Sequence, residues 1–374
     1  MLSNKTNRIG LITLYRDNFG SILQAYASYS YIKRLGFQCD IIQYRYKTNF
    51  VEKLKKVPKI LYMSIRYKQY FKDKIYAKRL YAKEISLLSE GTRSLMDQFV
   101  NTTFSIHYSE SLKELNQNYD LFVAGSDQIW NGYDAFKYLT FADRNKRIAL
   151  APSFGTSSIK DYLKNDIKKA LIGFDRISVR EETGVRIVKE LTGKDAIRLP
   201  DPTLILDKKE WKQFAIGGMK KSNYILIHFL NKPNQCAIKT INNYIQINNV
   251  EAICICNKYE ELSLIKNCKF IDINPKDYVS LINYADFVFT DSFHSTLFSL
   301  NLETQFLTFE RQYLHSNSQS SRIIDLLKRV GMEDRYVVDN KEPYFEKMNS
   351  WNSDIVFAEE RTKIRKYIEK ALGV

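Results

Sequence analysis

Asp286-Phe-Val-Phe-Thr-Asp-Ser-Phe-His-Ser-Thr-Leu-Phe-Ser-Leu300 is the stretch that decides the fold. Residues 287–290 read as a buried strand, polar groups follow at once, and residues 295–300 read as a helix. A strand that runs straight into a helix is half of a βαβ unit, from which parallel sheets are built. The same order recurs along the chain. Ile9-Gly-Leu-Ile-Thr-Leu14 is followed by the turn Arg16-Asp-Asn-Phe-Gly20 and by a helix over 21–35 that Gly36 ends. Residues 39–44, 120–124, 148–151 and 177–179 read as further strands of a first sheet, and residues 224–228, 252–256, 270–272, 287–290 and 305–309 as strands of a second.

A chain of 374 residues exceeds what one hydrophobic core usually serves. The expected fold is therefore α/β, with two Rossmann-like domains facing a central cleft. The N-terminal domain is placed at 1–205, with a basic helical insert at about 45–88, and the C-terminal domain at 206–350; a last helix at 351–374 could pack on either. A composition of 44% hydrophobic residues with only 7 Pro excludes disordered and fibrous classes. No apolar run is long enough to span a bilayer and the N-terminus lacks a signal-peptide core, so the expected location is cytoplasmic. The five cysteines read as reduced thiols; Cys254 and Cys256 alternate on one strand without a metal-ligand pattern. His107, His228, His294 and His315 are scattered, and no metal is expected.

His294 stands where strand meets helix, beside backbone amides that a helix start leaves unpaired. Such a place favours anions, and an imidazole there can serve as acid, base or hydrogen-bond donor. In the plainer reading Ser292 caps the helix and His294 fills a polar junction, with Asp291 beside them. In the first half, Asn18-Phe-Gly20 exposes amides after a strand, with Arg16 nearby, and Gly125-Ser-Asp-Gln-Ile-Trp130 does so after another. Neither matches a dinucleotide or phosphate-loop glycine pattern. Arg180 closes the strand at 177–179 and could hold a carboxylate or phosphate bidentately, or pair on the surface with Glu181 or Glu182. Arg322, at the opening of a later helix, is a second candidate anion contact.

Five blocks together resemble, in order, the polysaccharide pyruvyl transferase family. They are Asn18-Phe-Gly-Ser-Ile-Leu-Gln-Ala-Tyr26, Tyr119-Asp-Leu-Phe-Val-Ala-Gly-Ser-Asp-Gln-Ile-Trp-Asn131, Ile177-Ser-Val-Arg-Glu-Glu182, Leu199-Pro-Asp-Pro-Thr-Leu204 and Thr290-Asp-Ser-Phe-His294. The resemblance runs from Arg8 to about Arg335, sparing the basic insert and the C-terminal helix. It implies a GT-B-like fold and an enzyme that moves the pyruvyl group of phosphoenolpyruvate onto a sugar of a cell-surface polysaccharide intermediate as a cyclic ketal, releasing phosphate. Phosphoenolpyruvate is then a co-substrate, and no cofactor is implied. His294 becomes the acid/base, while Arg180, Arg322, Ser292 and Asp291 serve the donor. Asn18, Arg16, Ser126, Asp127, Gln128 and Trp130 serve the glycan acceptor, with Trp130 as a stacking platform. Relatives often carry arginine two residues before this histidine; Ser292 stands there, so Arg180 or Arg322 must compensate. The alternatives are a nucleotide-sugar glycosyltransferase on the same architecture and a non-catalytic, membrane-associated module of capsule assembly.

The net charge of +15 is concentrated. Between Arg45 and Lys83, thirteen Lys or Arg stand against Glu52 and Asp73, a local +11, with Tyr62, Met63, Tyr67, Tyr70 and Phe71 interleaved. Three readings remain open: an ordinary solvated helix, contact with an anionic membrane surface where a lipid-diphosphate-linked acceptor would reside, or another anionic partner. No nucleic-acid motif accompanies the charge, and nucleic acid is not expected.

Overall fold

The computed structural model describes residues 7–46, 50–255, 257–311, 321–338, 348 and 351–374. Lys47, Cys256 and His315 lie outside the described residues. The first sheet is formed by β1 (Arg8–Ile12), β2 (Gln38–Tyr44), β3 (Ile106–Ser109), β4 (Leu121–Ala124) and β5 (Arg147–Ala149), all parallel, in the order β3-β2-β1-β4-β5. A separate parallel pair joins β6 (Ser178–Val179) to β7 (Ile197–Arg198). The second sheet comprises β8 (Tyr224–His228), β9 (Glu251–Ile255), β10 (Cys268–Ile271), β11 (Phe287–Thr290), β12 (Phe306–Phe309) and β13 (Tyr336–Val337), in the order β10-β9-β8-β11-β12-β13.

Helices fill the crossovers. The first half holds α1 (Phe19–Arg34), α2 (Phe50–Arg66), α3 (Tyr70–Leu87), α4 (Glu90–Thr103), α5 (Leu112–Asn118), α6 (Asp161–Ile172) and α7 (Glu182–Thr192). Then come α8 (Lys208–Phe214), α9 (Gln235–Asn248), α10 (Pro275–Tyr284), α11 (Phe293–Leu302), α12 (Ser321–Val330) and α13 (Ser353–Leu372). Both sheets have the Rossmann strand order, and the expected α/β class with two facing Rossmann-like halves is what forms. The cause is visible in burial: β8 and β11 are buried at every position, as strands covered by helices on both faces must be.

In such sheets the crevice opens at the carboxyl ends of the strands where the order reverses. Here those points lie between β1 and β4, and between β8 and β11. The two crevices face each other. Phe19, at the start of α1, stacks on Tyr278 of α10 with centroids 4.8 Å apart and planes at 14°. One apolar cluster runs from Ile9 and Leu11 through Phe19 and Tyr278 to Phe298 and Leu226, so both halves share a core.

Several expectations need correction. β6 does not join the first sheet; it lies beside β5 through the Ser178 hydroxyl, which donates to Ala149 O and accepts from Ala151 N–H. β3, β7 and β13 are additional, short strands. The cysteines are not all free thiols: Cys254 on β9 and Cys268 on β10 are joined as a disulfide, while Cys39 and Cys236 are free. Among the described residues no helix is long and apolar enough to cross a membrane.

The last helix binds both halves. Tyr31 donates to Glu369 at 2.6 Å, Arg365 donates to Ile205 O, and Tyr367 donates to Ala149 O, all in the first half. Toward the second half, Ser353 donates to Leu300 O. Glu360, buried in the middle of α13, pairs with Arg198 of β7 and with Arg329 of α12, the latter at 2.8 Å. One carboxylate thus holds a guanidinium from each half. Replacing Glu360→Gln takes the buried carboxylate from Arg329 and leaves Arg198 only the exposed Glu182 at 3.2 Å, and urea denaturation should show a loss of roughly 2–3 kcal/mol of stability; a change below about 0.5 kcal/mol would mean that the clamp carries no weight.

Candidate active site

The site is assembled where α1 and α11 begin. Asn18 caps α1, its Oδ1 accepting from Gly20 N–H at 2.8 Å and Ser21 N–H at 3.3 Å. Ser292 caps α11, its hydroxyl accepting from Ser295 N–H. All ten residues of α11 are buried, including the polar Ser295, Thr296 and Asn301, which are satisfied by hydrogen bonds to His228, to Ser292 O and to Leu206 O. The His294 ring lies flat against Gly20: a Cβ added there would fall 2.0 Å from Nδ1 and 2.3 Å from Cγ. Only glycine permits that approach, so Gly20 serves the imidazole and not a phosphate-loop pattern.

Around this contact sits a buried set of charges. His294 Nε2 lies 3.4 Å from Asp201 Oδ2. Arg180 donates from Nη1 to Asp201 Oδ2 at 2.6 Å and from Nε to Glu181 at 3.1 Å, and its Nη2 lies 3.8 Å from Asp127. Asp201 also accepts from the Thr203 amide and hydroxyl at Oδ1. Asp127 accepts from the Ser21 hydroxyl at 2.5 Å. Phe293 lies between two guanidiniums: Arg180 Cζ is 5.3 Å and Arg322 Cζ 5.5 Å from its ring centre.

The electrostatics follow from burial against charge pairing. Burial works against the ionised form of Asp201, but His294, Arg180 and the Thr203 amide outweigh it and hold the carboxyl well below the usual range. Asp127 is likewise opposed by burial and held down by Arg180, His294 and the Ser21 hydroxyl. Burial also opposes the charge of Arg180, yet Glu181, Asp201 and Asp127 raise it above its ordinary value. Arg322 differs, pushed down to about 10 by burial and by the like charge of Arg180. An anion beside Arg322 would remove that penalty. Moreover, Arg180 Nη2 and His294 Nε2 are buried without a hydrogen-bond partner, a costly condition that a ligand's oxygens would relieve.

The structure brings together His294, Arg180, Arg322, Asp127 and, at its edge, Gln128, which packs against Gly155. The other expected residues are committed elsewhere. Trp130 is fully buried and stacked on Tyr138 with centroids 4.9 Å apart, so it belongs to the core and offers no platform to a sugar. Ser126 is also buried; its hydroxyl donates to Ala151 O and its amide to Gln24. Arg16 turns away to Asp97 at 2.9 Å and to Tyr108. The Asp291 carboxylate accepts from the Leu230 and Asn231 amides, fixing the loop after β8, and burial raises its pKa. Ser292 and Asn18 act as helix caps.

Asp201, Phe293, Arg311 and His228 complete the site without having been assigned a role in it, and Glu181 pairs with Arg180 as one reading had it, although its side chain is only 9% exposed and so not on the surface. Arg311, following β12, donates from Nε to Asp291 O at 2.7 Å and so brings a guanidinium to the position beside Ser292. His228 ends β8; its Nδ1 lies 2.6 Å from the Ser295 hydroxyl, which also contacts Tyr278 OH at 2.8 Å, and its Nε2 is buried with no hydrogen-bond partner. The Pro-Asp-Pro-Thr segment around Asp201 was a sequence signal, since acids before Thr often cap short turns. Among the described residues no group of three or more His, Cys, Asp or Glu could hold a metal ion.

His228 yields a pH prediction. Burial, with Arg311 and His294 nearby, pushes its pKa from 6.5 down to about 3, so it is neutral in the folded chain and protonates more readily when unfolded. Its contribution to stability is complete above pH 6.5 and is lost as the pH falls toward about 3. In urea titrations between about pH 5.5 and 4.5, wild type should lose about 1.4 kcal/mol per pH unit more than His228→Asn. Parallel slopes would show that the imidazole is not held neutral.

Comparison with known proteins supplies the context for this geometry. No curated protein matches the chain. Among solved structures, UDP-N-acetylglucosamine 2-epimerase from Rickettsia bellii aligns at 12% identity and a TM-score of 0.49, over 98% of this chain and 96% of its own. UDP-GlcNAc 2-epimerase from Neisseria meningitidis, bound to UDP-GlcNAc, aligns at 10% identity and TM-score 0.46, over 98% and 99%. The E. coli heptosyltransferase WaaC aligns at 10% identity and TM-score 0.38, over 94% and 99%. The polysaccharide pyruvyl transferase family model matches residues 18–313, from the cap of α1 to just beyond Arg311, and so spans every residue of the site except Arg322. That match covers well over half of the sequence and takes in α1, β4, β8, β11 and α11: the chain belongs to the polysaccharide pyruvyl transferase family.

Proposed function

We propose that this enzyme transfers the pyruvyl group of phosphoenolpyruvate to two hydroxyls of a sugar in a polysaccharide intermediate, forming a cyclic ketal and releasing phosphate. The observation that carries the reading is the pair of buried donor atoms without a hydrogen-bond partner, Arg180 Nη2 and His294 Nε2, whose ion-pair contacts to Asp127 at 3.8 Å and Asp201 at 3.4 Å are long, beside Arg322 at the meeting of two helix starts. A small donor with a carboxylate and a phosphate would satisfy them, and two converging helix N-termini favour its negative charge.

The chemistry matches these groups. A proton passes to the methylene carbon of phosphoenolpyruvate, the central carbon gains cationic character, and one sugar hydroxyl adds to it. A second hydroxyl then displaces phosphate, closing the ketal. His294 supplies the first proton, oriented by Asp201 on one side and Gly20 on the other. Arg322 and Arg180 hold the donor's anionic groups, with Arg311 supplying the charge that Ser292 lacks. In this reading Asp127, kept ionised, accepts a proton from an attacking sugar hydroxyl, with Gln128 next in sequence.

The direct test is phosphate release from phosphoenolpyruvate that depends on a glycan acceptor. His294→Ala should lower that rate on the order of 10²–10⁴-fold, and Arg322→Ala should raise the KM for phosphoenolpyruvate at least about tenfold, both with a native circular dichroism spectrum. Release of a nucleotide from a sugar nucleotide, with phosphoenolpyruvate left intact, would instead establish a glycosyltransferase and overturn the reading.

A further inference from the structure

We propose that α2 and α3 form a membrane-docking hairpin, fitted to an anionic lipid surface and set at the rim of the cleft. Most of the exposed large apolar side chains on the described surface occur singly, as on any soluble protein. The hairpin is the exception. Val57, Leu61 and Ile65 form a stripe along α2 at intervals of four residues, with Ile65 73% exposed, and Ile60, Tyr62, Phe71, Ile75 and Tyr76 extend the apolar surface.

Charge accompanies that surface. Arg66, Lys68, Lys72, Lys78 and Arg79 are all exposed, within the segment whose local charge is +11. Asp73 does not offset them on the outer side, because it is turned inward: it accepts from Tyr162 OH at 2.9 Å and pairs with Lys160 at 2.7 Å. Apolar side chains among solvated Lys and Arg are what an interfacial helix presents to anionic headgroups. A second protein would have to bring a matching acidic groove; an anionic bilayer provides the complementary charge over any footprint.

Placement gives the hairpin its direction. It leaves the first sheet at the carboxyl end of β2 and returns to the second at the ends of β9 and β10. There Leu88 bridges Asn257, Leu87 O accepts from Lys258 N–H, and Ser89 and Thr92 donate to Asp272. The turn between the helices is pinned as well, with Tyr70 and Tyr67 packed on the Tyr162 ring at 5.2 and 5.8 Å. Strand carboxyl ends in both sheets face the cleft, so docking would set the cleft mouth against the lipid surface. The docking does not depend on the reaction proposed above; only its use, reaching a lipid-borne acceptor, does.

The test is flotation of the full chain with vesicles of phosphatidylglycerol and phosphatidylcholine, compared with phosphatidylcholine alone. The expected result is binding to the anionic vesicles only, weakened by salt. The double variant Leu61→Asp/Ile65→Asp and the triple variant Arg66→Glu/Lys68→Glu/Lys72→Glu should each reduce binding about tenfold or more, with unchanged thermal unfolding and unchanged phosphate release on a soluble acceptor. Equal binding to neutral vesicles, no binding, or variants that bind like wild type would overturn the proposal. So would sedimentation showing that the wild type is a dimer which Leu61→Asp/Ile65→Asp converts to monomer, since a second copy would then cover the hairpin.

Discussion

The close approach of the His294 ring to the Gly20 backbone is the constraint on which the site depends. It joins the start of α1 to the start of α11, and therefore the strand reversal of one sheet to that of the other. Everything polar in the cleft is arranged around that contact. Asn18 and Ser292 spend their side chains on capping the two helices, which frees the space between them for His294, Arg180 and Asp201. The Phe19 and Tyr278 stack, just outside, is worth about 0.5–1.5 kcal/mol beyond its buried area and keeps the two halves in register.

The charge cluster illustrates why buried ions must be judged as a set. Arg180 is held between Asp201 and Glu181, with Asp127 close by, so much of its charge is answered within the protein. It orients the carboxylates as much as it offers itself to a ligand. Arg322, set beside another guanidinium, is the cation whose environment most favours an added anion. Removing Arg180 would strand buried carboxylates and unsettle the fold, whereas Arg322 lies at a helix start where its loss is borne more easily.

Much of the fold was legible because the strands that matter most, β1, β8 and β11, are covered on both faces and show it as apolar runs ending in polar turns. β3 was not, since Ile106-His-Tyr-Ser109 is an edge strand with only Ser109 fully buried, and the two-residue β7, with Ile197 exposed, leaves no periodic trace. In the site, His294 and Arg180 were legible as polar residues at strand ends. Phe293 was not, and Asp201 was legible only as the cap of a short turn, because their part in the site rests on contacts that only the tertiary fold creates. Trp130 shows the opposite failure: an aromatic side chain after a strand looks the same in sequence whether it faces a cleft or stacks on Tyr138. The Cys254 to Cys268 bridge depends on β9 and β10 being neighbours, which no spacing of cysteines discloses.

The helix that clamps both halves has a consequence for how the chain is made. Residues 353–372 complete the first half by meeting Tyr31, Ala149 and Ile205, segments translated more than 140 residues earlier. During synthesis the ribosome therefore releases a first half whose surface around Ala149 and Ile205 stays uncovered while the entire second sheet is still being made. Folding cannot finish domain by domain in the order of translation, as it does where each unit is self-sufficient. For that interval the nascent chain carries an apolar face that is a natural place for a chaperone to bind.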